Sequence, residues 1–387
     1  MIRPDNRGIG APARVGTPAH SATVLDLPTF LSSAAKSALR IRPLATLTGA
    51  IAEAAVQRGE ARRLAGSSRM AFGVVELLAR TATGVVTTVA PLPALMHALK
   101  GEPALRALVE TGLRRLSQPR PQWAGFALDR PLIMGILNVT PDSFSDGGRF
   151  ADPVRAIEHG RALATAGADI IDVGGESTRP GAHPVRPDDE VARVEPVIRA
   201  LAKDGIAVSV DTRHPAVMER ALGAGARIVN DVTALSDPQS IAVAARTKAP
   251  VVLVHMQGEP DTMQIAPRYD LASLDIVEFL ERRIASCFEA GIARDAIAVD
   301  PGIGFGKTRL HNLEILARIA LFHGLGAPIL VGASRKSFLG GEVDARLPGS
   351  LAVAIHALQQ GVQILRVHDV AETRAAIALT EALAEAF

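Results

Sequence analysis

Short apolar runs alternate with longer amphipathic stretches through the last two-thirds of the chain. The runs are rich in Val, Ile and Leu, and each gives way to a stretch with helical spacing, such as SLDIVEFLERRIASCFEAG at 273–291. This alternation is typical of βα units that build a parallel sheet. The eight runs lie at 132–139, 169–175, 206–211, 227–231, 250–256, 296–302, 328–334 and 362–369.

The number of these units favours a closed barrel. Eight βα units within residues 131–387 match a TIM barrel, which takes about 250 residues. A doubly wound open sheet is the alternative, but it seldom has so many evenly spaced parallel strands. We therefore predict an α/β fold with a TIM (β/α)8 barrel at 131–387.

Residues 1–130 have a different pattern. Pro- and Ser-containing stretches alternate with Ala- and Leu-rich ones, such as those at 49–66 and 103–118. They predict a mainly helical N-terminal extension of short helices and irregular chain, with no recognisable chemical constellation. Trp123 and Phe126 stand just before the first barrel run, which suggests the hypothesis that this segment plugs the N-terminal end of the barrel.

Composition narrows the class of protein. A hydrophobic content of 48% supports a large core, and a net charge of +2 gives no basis for a nucleic-acid partner. The longest apolar stretch, 85–99, contains two prolines and a histidine, so we expect no membrane span. The single cysteine, Cys287, fits a reducing compartment and a cytoplasmic location. The excess of basic residues in the first 50 positions leaves an organellar targeting peptide open.

Polar residues follow every apolar run, at the end where a barrel builds its active site. They are Asn138, Asp172, Glu176, Asp211, Asn230, Asp231, His255, Asp300, Ser334, Arg335, Lys336, Arg366, His368 and Asp369. Helix capping accounts for Asp231 and Asp369. It does not account for Lys336, Arg366 and His368, because a helix N-terminus disfavours cations. Cations at this end of the barrel predict an anionic ligand.

Carboxylates are predicted at the same mouth. Asp172, Asp211 and Asp300 would be partly buried there, and buried carboxylates need donors, which a ligand with several N–H groups supplies. Phosphate oxygens would bind to the cations, and Asn138 would add an oxygen ligand for a Mg²⁺ ion that bridges those phosphates. The pattern therefore predicts a substrate with a polar heterocycle and a phosphate. Internal pairing of the charges is the alternative.

The segment PGIGFGKT at 301–308 is similar to a phosphate-binding P-loop. That loop requires glycine five positions before Gly306, where this chain has Pro301. Proline lacks the backbone N–H that the phosphate cradle needs, so we reject the match. The glycines are interpreted instead as letting this loop pass close to a bound ligand.

Longer motifs resemble the dihydropteroate synthase family, in order, from residue 131 to the end of the chain. They are GILNVTPDSFSDGG (135–148), GADIIDVGGESTRPGA (167–182), VSVDT (208–212), IVNDV (228–232), HMQGEPDTMQ (255–264), DPGIGFGKT (300–308), GASRKSFLG (332–340) and RVHDV (366–370). The resemblance implies that p-aminobenzoate displaces diphosphate from 6-hydroxymethyl-7,8-dihydropterin diphosphate, giving 7,8-dihydropteroate. It also implies that the protein forms a homodimer through outer barrel helices and that sulfonamides target it.

The resemblance implies a role for each matching position. The pterin would be bound by Asp211, Asn230, Met256, Asp300 and Lys336, of which Asp211 and Lys336 would be catalytic. The diphosphate would be bound by Asn138, Arg366 and His368, with Asn138 also binding Mg²⁺. The p-aminobenzoate would be bound by Phe144, Thr178, Arg179, Pro180, Phe305 and Ser337. Asp172 and Glu176 would support these groups.

Two rival functions stay open at this point. A catalytically silent pterin-binding paralogue should have lost some of the loop or strand-end residues, which this chain keeps. A methyltransferase domain that uses methyltetrahydrofolate has no use for the diphosphate-binding set Asn138, Arg366 and His368.

Overall fold

The computed structural model describes residues 22–34, 39–120, 122–140, 153–177 and 185–385. The N-terminal unit contains both helices and a five-stranded sheet. Its elements are β1 (Thr23–Val24), α1 (Leu27–Ala34), β2 (Leu39–Thr48), α2 (Gly49–Gln57), β3 (Arg62–Arg63), β4 (Met70–Thr81), β5 (Gly84–Pro91), α3 (Leu92–Ala98) and α4 (Pro103–Ser117). The strand order is β1-β5-β4-β2, with β3 paired to β4.

The helices of this unit match the expectation for residues 1–130, but the sheet was not predicted. The central strand β4 (MAFGVVELLART) mixes Ala, Leu and Glu with β-branched residues and buries consecutive positions, from Val75 to Ala79. Burial on both faces removes the alternation that identifies a half-exposed strand. Strand propensity depends on such tertiary surroundings, so the local pattern was insufficient.

The barrel prediction is confirmed in architecture and order. A short hairpin, β6 (Gln122–Trp123) and β7 (Phe126–Ala127), precedes it. The strands are β8 (Leu132–Asn138), β9 (Ile170–Gly174), β10 (Val208–Asp211), β11 (Ile228–Asp231), β12 (Val251–Val254), β13 (Ile297–Asp300), β14 (Leu330–Val331) and β15 (Ile364–Val367). The helices are α5 (Pro153–Thr165), α6 (Pro187–Lys203), α7 (Pro215–Ala224), α8 (Pro238–Thr247), α9 (Ala272–Glu289), α10 (Arg309–Ala317), α11 (Leu347–Gln359) and α12 (Val370–Glu385).

The strand pairing closes the barrel. All eight strands lie parallel in the order β13-β12-β11-β10-β9-β8-β15-β14. The two ends of this order meet through a parallel bridge between Val299 and Ile329. Each predicted apolar run contains one of these strands. Because the strands are parallel, their polar C-terminal residues lie at one rim.

Trp123 plugs the opposite end of the barrel, as the sequence suggested. Its side chain is fully buried, and its indole N–H donates to the Ala296 carbonyl oxygen at 3.2 Å. The indole belongs to an apolar cluster formed largely by early residues of the strands: Leu132, Met134, Ile170, Ile228, Val252, Val254, Ala298, Leu330 and Ile364. Phe126 is partly buried and packs against the same cluster.

Arginines connect the N-terminal unit to the outside of the barrel. Arg40 of β2 makes two hydrogen bonds to Glu281 of α9, and Arg80 of β4 bonds both carboxylate oxygens of Glu278, on the same helix, at 3.0 and 3.2 Å. Arg120 is buried and donates to the carbonyl oxygen of His323 at 2.7 Å. The N-terminal unit is therefore docked on α9 and on the segment before β14. In the described part of the chain, no helix is long and apolar enough to span a membrane.

Candidate active site

Arg366 of β15 lies at the centre of the barrel mouth. Its Nε donates to Asp172 Oδ2 at 2.6 Å, and its Nη2 donates to Asp211 Oδ2 at 2.7 Å. Asp172 also accepts a hydrogen bond from Asn230 Nδ2 at 3.0 Å. Burial alone would lower the pKa of Arg366, but Asp172 and Asp211 outweigh it and raise that pKa. One guanidinium thus connects β9, β10 and β15, and Asp172 extends the network to Asn230 of β11.

Among the described residues of this mouth, the carboxylates outnumber the cations that face them. Asp172, Asp211 and Asp300 face two cations, Arg366 and Lys336. Burial raises the pKa of Asp211 to about 7; the charge of Asp172 adds to this effect, whereas Arg366 opposes it. The pKa rises despite the short ion pair because the cost of burying the charged carboxylate outweighs the attraction of Arg366. Burial likewise raises the pKa of Asp300. The arrangement favours a ligand that brings donors or positive charge.

Two buried acceptors at the mouth have no hydrogen-bond partner among the described residues. They are Asp172 Oδ1 and Asn230 Oδ1, on side chains that are 0% and 3% exposed. Leaving such groups unpaired costs about 1–3 kcal/mol each. The edge of a heterocycle with adjacent N–H groups would satisfy both.

Lys336 provides a cation beside an aromatic ring. Its Nζ donates to the Ile303 carbonyl oxygen and lies 4.3 Å from the centroid of the Phe305 ring. Burial lowers the pKa of Lys336 to about 8, with Asp300 opposing this shift. Phe305 is half-buried. Lys336 and Phe305 therefore form one surface at the mouth, close to Asp300.

Glycines bring the remaining strand ends close together. Asp211 Oδ2 and Asn138 Oδ1 lie 3.7 and 3.8 Å from the position that a Cβ would take on Gly174. Asp300 Oδ2 lies 3.7 Å from the corresponding position on Gly332. Asn138 thus offers its oxygen at the side of the mouth where Asp211 lies. A single amide oxygen fits Mg²⁺, which keeps several waters and takes its other ligands from substrate phosphates.

The other predicted site residues differ in how far the structure describes them. His368 Nδ1 lies 3.1 Å from Ser334 Oγ, which connects the ends of β15 and β14. Met256 is half-buried after β12, and Ser337 is exposed directly after Lys336. Four predicted contacts of p-aminobenzoate lie outside the described residues: Phe144, Thr178, Arg179 and Pro180.

Lys307 was not identified from the sequence as a structural residue. It is 3% exposed, and its Nζ bonds His255 Nδ1 at 2.9 Å and the Phe305 carbonyl oxygen at 2.9 Å. Burial lowers the pKa of both Lys307 and His255 well below their usual values. Lys307 therefore joins the loops after β12 and β13, and its inward position agrees with rejecting the P-loop match.

Two glycines of this loop have a role that the sequence interpretation did not include. Gly302 and Gly306 have φ of +69° and +61°. A Cβ on either would overlap a backbone carbonyl oxygen, that of His255 or of Gln257. These glycines let two loops of the protein pass close to each other, whereas the sequence interpretation had assigned the close approach to a ligand.

Fold and mouth together define a class: a TIM-barrel enzyme with buried acceptors for a polar ring beside cations for an anion. A family model described as "Pterin binding enzyme" matches residues 134–368. The dihydropteroate synthase of Escherichia coli K12 is 48% identical over 266 residues, covering 67% of this chain and 94% of that protein.

Solved structures agree with this match. The Yersinia pestis dihydropteroate synthase in a sulfonamide drug complex has a TM-score of 0.64 and 46% identity, over 67% of this chain and 97% of that one. The Xanthomonas albilineans dihydropteroate synthase with 4-aminobenzoic acid has a TM-score of 0.64 and 44% identity, over 67% of this chain and 94% of that one. The chain therefore belongs to the pterin-binding enzymes, in the dihydropteroate synthase family.

Proposed function

We infer that this transferase condenses 6-hydroxymethyl-7,8-dihydropterin diphosphate with p-aminobenzoate in folate biosynthesis. The products are 7,8-dihydropteroate and diphosphate. The observation that carries the inference is the pair of buried, unpartnered acceptors, Asp172 Oδ1 and Asn230 Oδ1, beside the cations Arg366 and Lys336. One side of the mouth suits the N–H edge of a pterin, and the cations suit its diphosphate.

The pterin lies deepest in the mouth in this proposal. Asp211, Asn230 and Asp300 accept hydrogen bonds from its ring edge, as does the free Oδ1 of Asp172, and Lys336 donates to its oxygen. Met256 contacts the ring face. The excess of carboxylates over cations supports this placement, because a pterin that gains positive charge is stabilised by nearby carboxylates.

The reaction proceeds by loss of diphosphate before the amine adds. The bond between the pterin methylene carbon and the diphosphate oxygen breaks, and both electrons leave with the diphosphate. Asp211 stabilises the cation that forms, while Arg366 and His368 hold the leaving group. The amine nitrogen of p-aminobenzoate then donates its lone pair to the methylene carbon and loses a proton to the released diphosphate. Exclusion of water protects the cation during this interval.

The p-aminobenzoate binds at the outer side of the mouth. Phe305 and Ser337 line this site beside Lys336, and Phe144, Thr178, Arg179 and Pro180 complete it. The proximity of Phe305 to Lys336 supports this placement, because an aromatic acid fits against a ring beside a cation. The Xanthomonas relative with 4-aminobenzoic acid and the Yersinia relative with a sulfonamide support both this substrate and sulfonamides as its competitors.

Pyrophosphate release tests the function directly. Purified protein with Mg²⁺ and the pterin diphosphate is expected to release pyrophosphate in proportion to added p-aminobenzoate and to form dihydropteroate. If the protein bound the pterin but released no pyrophosphate with both substrates present, a silent pterin-binding protein would be the better description. Methyl transfer from methyltetrahydrofolate in place of condensation would favour the methyltransferase alternative.

Asn138 is the proposed protein ligand of Mg²⁺, which when bound would neutralise charge on the diphosphate oxygens. Replacing Asn138 with alanine is expected to raise the Mg²⁺ concentration for half-maximal activity about tenfold, because one oxygen ligand is lost. Initial rates across a Mg²⁺ titration measure this effect. Asn312, whose Oδ1 accepts a hydrogen bond from the backbone N–H of Gly304 at 2.7 Å, provides the matched Asn→Ala control. An unchanged Mg²⁺ dependence in Asn138→Ala would remove Asn138 from the metal site.

The pH dependence of kcat/KM for the pterin substrate should have two limbs. Asp211 must be ionised, so activity is expected to rise through about pH 7, where its raised pKa lies. Lys336 must be protonated to donate, so activity is expected to fall as pH rises through about 8, its lowered pKa. A Lys336→Arg variant stays charged and should lose the alkaline limb. Persistence of that limb in an active Lys336→Arg enzyme would assign it to another group.

We further propose a cytoplasmic homodimer that binds these small molecules and no nucleic acid. Because the N-terminal unit occupies α9 and also bonds Glu381 of α12 through Arg69, we place the dimer contact on the remaining outer helices. The single cysteine, Cys287, is buried, and burial raises its pKa to about 11. An unreactive, unpaired thiol is consistent with a reducing compartment.

A further inference from the structure

A second cluster of charged residues lies beside the active-site mouth, between β9 and the starts of α6 and α7. Arg213 Nε and Nη2 donate to the two carboxylate oxygens of Glu176 at 3.1 and 3.3 Å. Arg213 Nη1 donates to Glu259 at 2.6 Å. Glu190 of α6 and His214, just before α7, complete the cluster. None of these residues contacts the groups assigned above to pterin or diphosphate binding in the hydrogen bonds described.

Glu176 ties together the two ends of a loop. It stands directly before Ser177, and its Oε1 accepts a hydrogen bond from the backbone N–H of Val185 at 3.1 Å. The residues between these points include Thr178, Arg179 and Pro180, the proposed contacts of p-aminobenzoate. The position of one carboxylate therefore sets the separation of the two loop ends.

The side chains of Glu190 and His214 lie buried behind Glu176. Glu190 is 0% exposed; neither of its carboxylate oxygens has a short hydrogen-bond partner in the described chain, and Thr212 provides a weaker contact. His214 Nε2 is also buried, without a short partner there, and makes a longer contact with Glu176. That nitrogen lies 3.7 Å from Glu176 Oε2 and 4.0 Å from Glu190 Oε2. It is thus the group that faces both carboxylates.

Charge balance favours a proton at this position. Among the described residues, Glu176 and Glu190 bring two buried carboxylates, whereas Arg213 brings one positive charge that it shares with the exposed Glu259. An uncompensated buried carboxylate is costly, so a further positive charge between Glu176 and Glu190 stabilises the cluster. An imidazolium at His214 supplies it.

We propose that His214 and Glu190 are positioning residues for p-aminobenzoate: a protonated His214 bridges Glu176 and Glu190, and Glu176 in turn fixes the ends of the p-aminobenzoate loop. This inference rests on the proposed function, because that function assigns the loop to p-aminobenzoate. Neither residue touches substrate. Their effect is therefore on the KM for p-aminobenzoate, with pterin binding unchanged.

The same three side chains have the types and separations of a metal site, since their ligand atoms all lie within 4.8 Å of one another. Both Glu176 oxygens, however, already accept hydrogen bonds from Arg213, and Oε1 also accepts one from Val185. A metal would have to compete with this bidentate ion pair. The observations therefore favour a proton over a metal ion.

The proposal gives a direction for pH dependence. The groups that face the imidazole are Glu176, Glu190 and Arg213; Glu176 raises the pKa of His214, burial opposes it, and Glu190 adds to the rise. Burial also raises the pKa of Glu190 to about 7, so Glu190 carries its full negative charge only above that pH. As pH rises through the raised pKa of His214, the bridging charge is lost and two carboxylates face each other. The KM for p-aminobenzoate then increases on the alkaline side.

Steady-state kinetics on the full chain test the positioning role. His214→Asn is expected to raise the KM for p-aminobenzoate about tenfold, the effect of one lost charge-assisted contact, with kcat and pterin affinity retained. His214→Lys keeps the charge, so it should restore the low KM and remove the alkaline increase. The exposed His159→Asn on α5 is the matched control. An unchanged KM in His214→Asn, or an equal increase in the lysine and asparagine variants, would overturn the proposal.

Histidine titration by NMR tests the cluster independently of turnover. The pKa of His214 is expected to be above the ordinary histidine value and to fall in Glu190→Gln, whereas Glu158→Gln on α5 leaves it unchanged. If the protein had no condensing activity, the proposed function would be wrong. This titration would still decide whether His214 bridges Glu176 and Glu190. A His214 pKa that Glu190→Gln does not lower, or a titration altered by metal chelation, would contradict the bridging proton.

Discussion

Replacing Lys336 with alanine is expected to lower kcat for dihydropteroate formation about a thousandfold while the fold persists. The loss follows because Lys336 is the cation at the junction of the two substrate sites, and removal of one oriented donor in a dry site costs about 10²–10³ in rate. Stability should change little, since burial already opposes the charge of this side chain and lowers its pKa to about 8. Stopped assays of pyrophosphate release, with unfolding temperature measured alongside, give both quantities.

Asp211→Asn tests the carboxylate side of the same prediction. It removes the charge that stabilises the pterin cation but leaves Arg366 paired with Asp172 at 2.6 Å, so the strand ends remain connected. Its kcat should fall by a similar factor. Lys203→Ala and Asp204→Asn, exposed at the end of α6, serve as controls of matching type. Near-normal turnover in either site variant would contradict the catalytic assignment.

Trp123→Ala is expected to lower the free energy of unfolding by about 3–5 kcal/mol, the usual cost of truncating a fully buried large side chain. Trp123 is 0% exposed and fills the end of the barrel opposite the mouth. Its removal leaves a cavity lined by residues from most of the strands, which cannot all shift inward. Denaturant unfolding monitored by circular dichroism measures the change.

Two comparisons show whether the effect comes from the plug. Leu108→Ala truncates an apolar side chain of α4 that is 43% exposed, so it should change stability by no more than about 0.5 kcal/mol. At a temperature where Trp123→Ala remains folded, its kcat should be near normal, because the indole is remote from the mouth. A destabilisation below about 1 kcal/mol would show that the barrel closes without the indole.

The sequence by itself determined the barrel fold and the polar residues that form its mouth. Each βα unit is local, because a parallel strand buried on both faces requires a short run of Val, Ile and Leu, and its covering helix requires an amphipathic stretch. The polar residues that end these runs, from Asn138 to His368, were predictable for the same reason. Parallel strands bring their C-terminal ends to one rim, so position along each run was enough to collect them.

Tertiary structure decided which groups pair. Asp172, Asp211 and Arg366 are separated by up to 194 positions, and only the closed barrel shows that one guanidinium binds both carboxylates. The Glu176–Arg213–His214–Glu190 cluster was missed for the same reason. Its members come from two neighbouring βα units, and Glu190 has the sequence appearance of an ordinary acidic residue in the first turn of a helix.

The N-terminal sheet also depended on tertiary structure. The residues of β4 are buried by strands on both sides and by helices, so their pattern carries neither the alternation of a half-exposed strand nor a helical stripe. A local hydrophobic pattern depends on which face of an element is exposed to water. Such patterns determined the barrel, where every strand is buried and every helix has one buried face. They did not determine the N-terminal sheet or the ion pairs, because these depend on contacts between distant parts of the chain.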